Sequence, residues 1–188
     1  MAIEEPAFEL LEQFGIFQLR LYAPRVMAET TVDGTLAQAS AAGFRRIARY
    51  LFGDNLSNAV THPEADARGI TAIDTEHQKI AMTTPLSAER VGGRWRVQLA
   101  MPRRHTLETL PRPRHPGVML NAVPAQQTAV LVFSGRVRPH TVDTKTRALL
   151  AWLLERRLEP ISTPRLACYN PPWTLPFLRR NEILIDYR

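Results

Sequence analysis

The sequence predicts an α+β fold in which two similar halves join into one barrel-like antiparallel sheet with two flanking helices. Three observations predict it. The order strand, strand, helix, strand, strand occurs twice, with corresponding pieces about 100 residues apart before the helices and about 86 apart after them. Successive strand candidates follow one another through short breaks such as Ala23-Pro24, and direct connections of this kind favour antiparallel pairing. Four strands and one helix would leave a sheet face bare, so neither half closes a core alone. We therefore expect a single domain over residues 1–188, with pseudo-symmetric halves at 8–101 and 117–188.

The elements follow in order. Residues 16–22 alternate apolar and polar as a strand does, and Ala23-Pro24 ends the run. Residues 25–32 are rich in β-branched types and predict a second strand, closed by the turn Asp33-Gly34. Helical spacing of Leu36, Ser40, Gly43, Phe44, Ile47 and Leu51 predicts a helix over 35–52, stopped at Gly53-Asp54-Asn55. A long polar loop at 54–77 precedes a strand at 78–84 that Pro85 terminates. Gly92-Gly93 then introduces the alternating strand 94–101. A connector rich in Pro, Arg and His (102–116) opens the second half, with strands at 117–123 and 128–134 and a helix over 141–157. Strands at 165–170 and 182–187 complete it. Ile80–Pro85 and Leu166–Pro171 match as the third strands of the two halves.

Composition narrows the function. With 45% hydrophobic residues the chain can build a core, and no apolar run approaches the about 18 residues of a membrane span. The N-terminus lacks a basic segment followed by an apolar one, so the expected location is cytoplasmic. Cys168 is the single cysteine, which removes any internal disulfide or cysteine-based metal site; its place in a strand reads as packing. The formal net charge is +6, and all the basic residues except Lys79 and Lys145 are Arg. These Arg are scattered without a nucleic-acid-binding motif, so no specific nucleic-acid partner is expected. The histidines are scattered too. His62, Glu64, Asp66, Asp74 and His77 gather in the long loop without a recognised metal-ligand spacing, and no metal site is assigned.

Two clusters stand out. On the first helix, Phe44, Ala48 and Phe52 form a row at four-residue spacing beside Arg45 and Arg49, with Arg46 nearby. An apolar strip edged by guanidinium groups suits a porphyrin and its propionates, and an ordinary amphipathic helix with a solvated Arg face has the same pattern. The second cluster runs from Tyr169 through Trp173 and Phe177 to Arg179, Arg180 and Glu182, with several prolines holding the loop. It serves either as a rigid pocket wall or as a plug at one end of the barrel.

Taken in order, these pieces resemble the SOUL family of haem-binding proteins. The resemblance runs through 16–24, Gly43-Phe44 to Asn55, Lys79 to Pro85, Met101-Pro102, Thr106 to Pro111, 133–135 and Tyr169 to Glu182, about 170 residues in all. It implies a distorted antiparallel β-barrel with two flanking helices. It also implies reversible binding of haem or a related tetrapyrrole without a dedicated enzymatic centre, in an intracellular carrier or buffer. Carried over by position, it points to Phe44, Ala48, Arg49 and Thr174 as binding residues; geometry adds Arg45, Phe52, Trp173 and Phe177. Some members carry an axial His where this chain has Leu21, so that residue ligates no iron here. Two other functions stay open: an effector-binding module like the ligand domains of multidrug-responsive regulators, and a pocket enzyme using Glu182 or Tyr169. The oligomeric state is left open as well.

Overall fold

The computed structural model describes residues 3–56 and 77–188. Residues 57–76 of the expected long loop, with the candidate ligands His62, Glu64, Asp66 and Asp74, lie outside the described residues. In chain order the strands of the main sheet are β1 (Phe8–Phe14), β2 (Phe17–Tyr22), β3 (Arg25–Val32), β5 (Leu86–Val91), β6 (Arg94–Ala100), β8 (Met119–Val123), β9 (Gln126–Phe133), β10 (Arg165–Cys168) and β11 (Asn181–Asp186). Helix α1 (Leu36–Leu51) follows β3, and α2 (Pro139–Glu155) follows β9. A separate two-residue ladder joins β4 (Asn55–Leu56) to β7 (Arg112–Pro113).

The nine strands are antiparallel in the order β1-β2-β9-β11-β10-β5-β6-β3-β8. Apart from β1, the order reads alike from both ends: β8-β3-β6-β5 meets β10-β11-β9-β2 at the central β5–β10 pair. The first strands are exchanged, because β2 pairs with β9 and β8 pairs with β3. The last strand, β11, lies inside the sheet between β9 and β10, and all six of its residues are buried.

Curvature follows from two short links. β2 and β3 stand six positions apart in the sheet, about 29 Å if it were flat. Ala23 and Pro24 alone connect them, a reach of about 11 Å from Tyr22 to Arg25. Pro124 and Ala125 impose the same constraint between β8 and β9. The sheet must curl, and Arg25 meets the Tyr22 ring at 4.9 Å across the seam. It does not close. Among the described residues no ladder crosses from β2 and β9 to β3 and β8, so the expected barrel is an open curled sheet. Each link carries a proline, which has no N–H to donate across the seam.

Both helices lie on one face. α1 packs on β3, β5 and β6, burying Ile47 and Leu51 against Val26, Ala28, Val97 and Leu99. A Cβ at Gly43 would fall 2.6 Å from the Val97 Cβ, so only glycine lets the helix lie this close to β6. α2 packs on β9 and β11, with Leu149 and Leu153 against Leu131, Ile183 and Ile185, and Trp152 stacked on Phe17 at 5.0 Å. The other face buries polar groups, among them Arg20, Thr128, Glu182 and Asp186.

The expected strand at 78–84 does not form. Its backbone groups are taken elsewhere: Ile80 N–H donates to the Leu51 carbonyl at the end of α1, and Thr84 N–H donates to Glu4. Gln78 exchanges hydrogen bonds with the Asn55 side chain. The counterpart of β10 is thus β5, which starts after Pro85, and the expected match of Ile80–Pro85 with Leu166–Pro171 fails. β1 was not expected as a strand either. All seven of its residues are exposed, so burial leaves no alternation in its sequence.

Candidate functional site

Helix α1 is fixed at both ends. Thr35 caps it, accepting from Gln38 N–H at 3.3 Å while Gln38 Oε1 accepts from Thr35 N–H at 3.0 Å. At the other end Tyr50 donates its hydroxyl to the Pro111 carbonyl at 2.9 Å, and Asn55 Nδ2 donates to the Tyr50 carbonyl at 2.8 Å. Since Ala39, Gly43, Ile47, Tyr50 and Leu51 face the sheet, the opposite side is presented outward. There Phe44 is exposed, Ala48 half-buried and Phe52 58% exposed, flanked by exposed Arg45 and Arg49. Arg46 is diverted inward, donating to Thr30 Oγ1 at 2.9 Å and to the Thr31 carbonyl.

Most ion pairing in the chain engages other arginines. Arg20, Arg94, Arg96, Arg147, Arg156, Arg165, Arg180 and Arg188 each hold a carboxylate. Arg45 and Arg49 hold none among the described residues. They combine exposure, adjacency to apolar side chains and the lack of an ion-pair partner among the described residues, which is what capture of an anionic group by a flat ligand requires.

The proline-rich loop is rigid and outward-facing. Arg179 donates to the carbonyls of Thr174 (2.8 Å) and Pro172 (2.5 Å), Thr174 N–H donates to Pro171, and Gly135 N–H holds the Pro176 carbonyl. These bonds fix a loop whose Trp173 is 82% and Phe177 70% exposed, with Thr174 half-buried between them. Trp173 therefore plugs nothing. No hydrogen bond, ion pair or ring contact among the described residues joins the loop residues Trp173, Thr174 and Phe177 to Phe44, Arg45, Ala48, Arg49 or Phe52.

Behind the loop lies a network that the sequence did not reveal. Glu182, 0% exposed, accepts from Arg20 Nη1 and Nη2 at 3.0 Å, from the Tyr169 hydroxyl at 2.7 Å, and from Arg180 Nε and Nη2 at 3.0 and 2.9 Å. Arg20, 2% exposed, also donates to Tyr22 and Gln18, and Arg180 reaches Glu5. Burial pushes the Glu182 carboxyl up, but hydrogen bonding and charge from Arg20, then Tyr169 and Arg180, outweigh it and hold it below its ordinary range. Burial and the Glu182 charge push the Tyr169 hydroxyl up. An ionised carboxylate with five donors already in place has no lone pair left for substrate work. Cys168 is half-buried, and burial pushes its thiol up to about 11, in keeping with a packing role.

A cavity of about 400 Å³ opens at the seam of the sheet, between the N-terminal segment and the turn after β6. Pro6, Ala7, Pro24, Met101, Leu107 and Val123 supply its apolar wall. No sequence motif marks it, because its walls come from five separate stretches of chain. Among the described residues no group of three or more His, Cys, Asp or Glu could hold a metal ion, and no helix is long and apolar enough to cross a membrane.

Among solved structures, the C-terminal domain of EcmrR superposes with a TM-score of 0.64 at 9% identity, covering 92% of this chain and 96% of that domain. EcmrR in its complex with DNA gives 0.61 at 10% identity, covering 94% of this chain and 59% of the longer one. A hydrolase from Listeria innocua gives 0.57 at 12% identity, with 92% and 91% covered. At these identities the likeness is one of fold. No curated protein matches in sequence. The family described as SOUL heme-binding protein matches residues 3–186, essentially the whole folded sheet with both helices. The chain belongs to the SOUL heme-binding protein family.

Proposed function

We propose that the protein binds haem or a related tetrapyrrole reversibly, as a cytoplasmic carrier or buffer, on the outward face of α1. The observation that carries this reading is the row Phe44, Ala48 and Phe52 left exposed or half-buried beside two arginines with no ion-pair partner among the described residues, in a member of this family. The residues fit the group. Phe44, Ala48 and Phe52 would cover the macrocycle, Arg45 and Arg49 would take the propionates, and Trp173, Thr174 and Phe177 would supply a second apolar wall. When bound, the tetrapyrrole brings its own metal chemistry; the chain contributes apolar cover and charge. The matching halves of the sheet are, in the same reading, products of an internal duplication.

Titrating haem into the purified protein tests this through the Soret band. The expected result is saturable one-to-one binding, weakened about tenfold or more, about 1.4 kcal/mol, in Arg45→Glu/Arg49→Glu. A linear, unsaturated response, or full affinity in the double variant, overturns the proposal. A second reading, an effector-binding module, is supported by the DNA-bound EcmrR complex, in which the matched fold makes up 59% of the longer chain. Capture of a DNA-binding partner by this chain in place of haem would favour it.

A further inference from the structure

The seam cavity has an unbalanced set of polar groups. Its three carboxylates are engaged: Glu5 by Arg180 at 3.0 and 3.1 Å, Glu4 by the Arg103 N–H at 2.8 Å, and Glu108 by Thr106. Thr83 spends its hydroxyl on the Ala100 carbonyl at 2.5 Å. The cations are not matched. Arg25 is half-buried, and its guanidinium makes one hydrogen bond, 3.3 Å to the carbonyl of Ala23, itself part of the cavity wall. Among the described residues no carboxylate pairs with it, since Asp186, the nearby acid, is held by Arg165 at 2.6 and 2.8 Å. The Arg103 side chain has no partner among the described residues. His105 Nε2 accepts from Arg104 Nε at 3.2 Å, which assigns the proton to Nδ1, an N–H with no partner among the described residues.

Arg25 and Arg103, with no carboxylate partner among the described residues, beside walls of Pro, Ala, Met, Leu and Val, suit a ligand with an apolar body and one carboxylate. We propose that this cavity binds a small amphipathic monocarboxylate, of the size of a medium-chain fatty acid or an aryl carboxylate, with its carboxylate on Arg25 and its apolar part between the N-terminal segment and the turn after β6. The volume of about 400 Å³ lies within the range of small-molecule sites. Burial and the neighbouring charge of Arg165 both act against the charged form of Arg25, and a bound carboxylate relieves the second effect. The cavity is lined by none of the α1 residues proposed for the tetrapyrrole, so the two sites are independent.

Isothermal titration with octanoate tests the proposal, with octanol and octylamine as probes of the same chain length. Octanoate should bind saturably at one site while both controls bind at least tenfold more weakly. Arg25→Gln should weaken octanoate binding tenfold or more. Ala122→Trp, at an exposed position on the cavity wall, should block it while leaving the circular dichroism spectrum unchanged. Binding should persist in Arg45→Glu/Arg49→Glu and with haem already present, whether or not haem itself binds. Equal affinity for octanol, undiminished binding in folded Arg25→Gln, or displacement of octanoate by haem would each overturn the assignment.

Discussion

Replacing Glu182 by Gln changes one buried atom and removes one charge, so its effect isolates what the interior network is for. The carboxylate oxygens accept five donors, four of them from Arg20 and Arg180. In the variant either orientation of the amide turns an NH2 group toward a guanidinium. Arg20, 2% exposed, then loses one of its two bonds to residue 182 and keeps only neutral acceptors: the remaining amide oxygen, Gln18 and Tyr22. Breaking a buried pair while leaving one charge behind costs about 3–5 kcal/mol, against a typical total stability of about 5–15 kcal/mol. With a urea slope of about 2 kcal/mol/M, the unfolding midpoint should fall by about 1.5–2.5 M at pH 7. The difference should depend on pH. Because the Glu182 carboxyl is depressed in the folded protein, its contribution is complete above its unfolded value of about 4.3 and is lost as pH falls through the folded value. The wild type and the variant should therefore converge on acidification below about pH 4. Urea unfolding followed by far-ultraviolet circular dichroism measures both effects. A loss below about 1 kcal/mol at pH 7 would refute the network as a structural element and return Glu182 to the catalytic candidates.

Two further predictions concern packing and reactivity. Gly43→Ala gains about 1 kcal/mol of helix propensity but sets a Cβ 2.6 Å from that of fully buried Val97; a net loss of about 1–2 kcal/mol is expected. Thermal unfolding reads this, and Val97→Ala in the same chain should recover part of it; additive losses would show that the contact is not the cause. Cys168, with its thiol pushed up to about 11, should react with iodoacetamide at pH 7.5 about a hundredfold more slowly in the folded protein than in urea. Equal rates would place the thiol in water.

The legibility of the sequence followed burial on one face. α1 was visible because one of its sides lies against the core and the spacing over 35–52 records it, whereas β3, buried on both faces, was visible through the β-branched residues of 25–32. β1 was invisible because none of its residues is buried, and 78–84 misled because Ile80 and Thr83 are buried through loop contacts rather than through a ladder. The row on α1 could be read for the same reason as the helix itself: its residues are local, and period 3.6 determines which of them share a side. The Glu182 network and the seam cavity draw on residues separated by more than a hundred positions, and no local period encodes such meetings. Arg180 was expected near Glu182; Arg20, the larger contributor, was not.

The position of β11 has a bearing on how this chain comes to be folded. Residues 181–186 emerge after every other strand of the sheet, yet they fill a place between β9 and β10 with ladders on both sides. Until they arrive, β9 and β10 each present an unpaired edge, and Leu131 and Leu166 lack the Ile183 and Ile185 they pack against. A nascent chain cannot bank its first half either, since β3 needs β8 and β9 needs β2. Acquisition of structure thus waits for residues 181–186, and the interval before β11 is released is when this protein depends most on being kept from its neighbours.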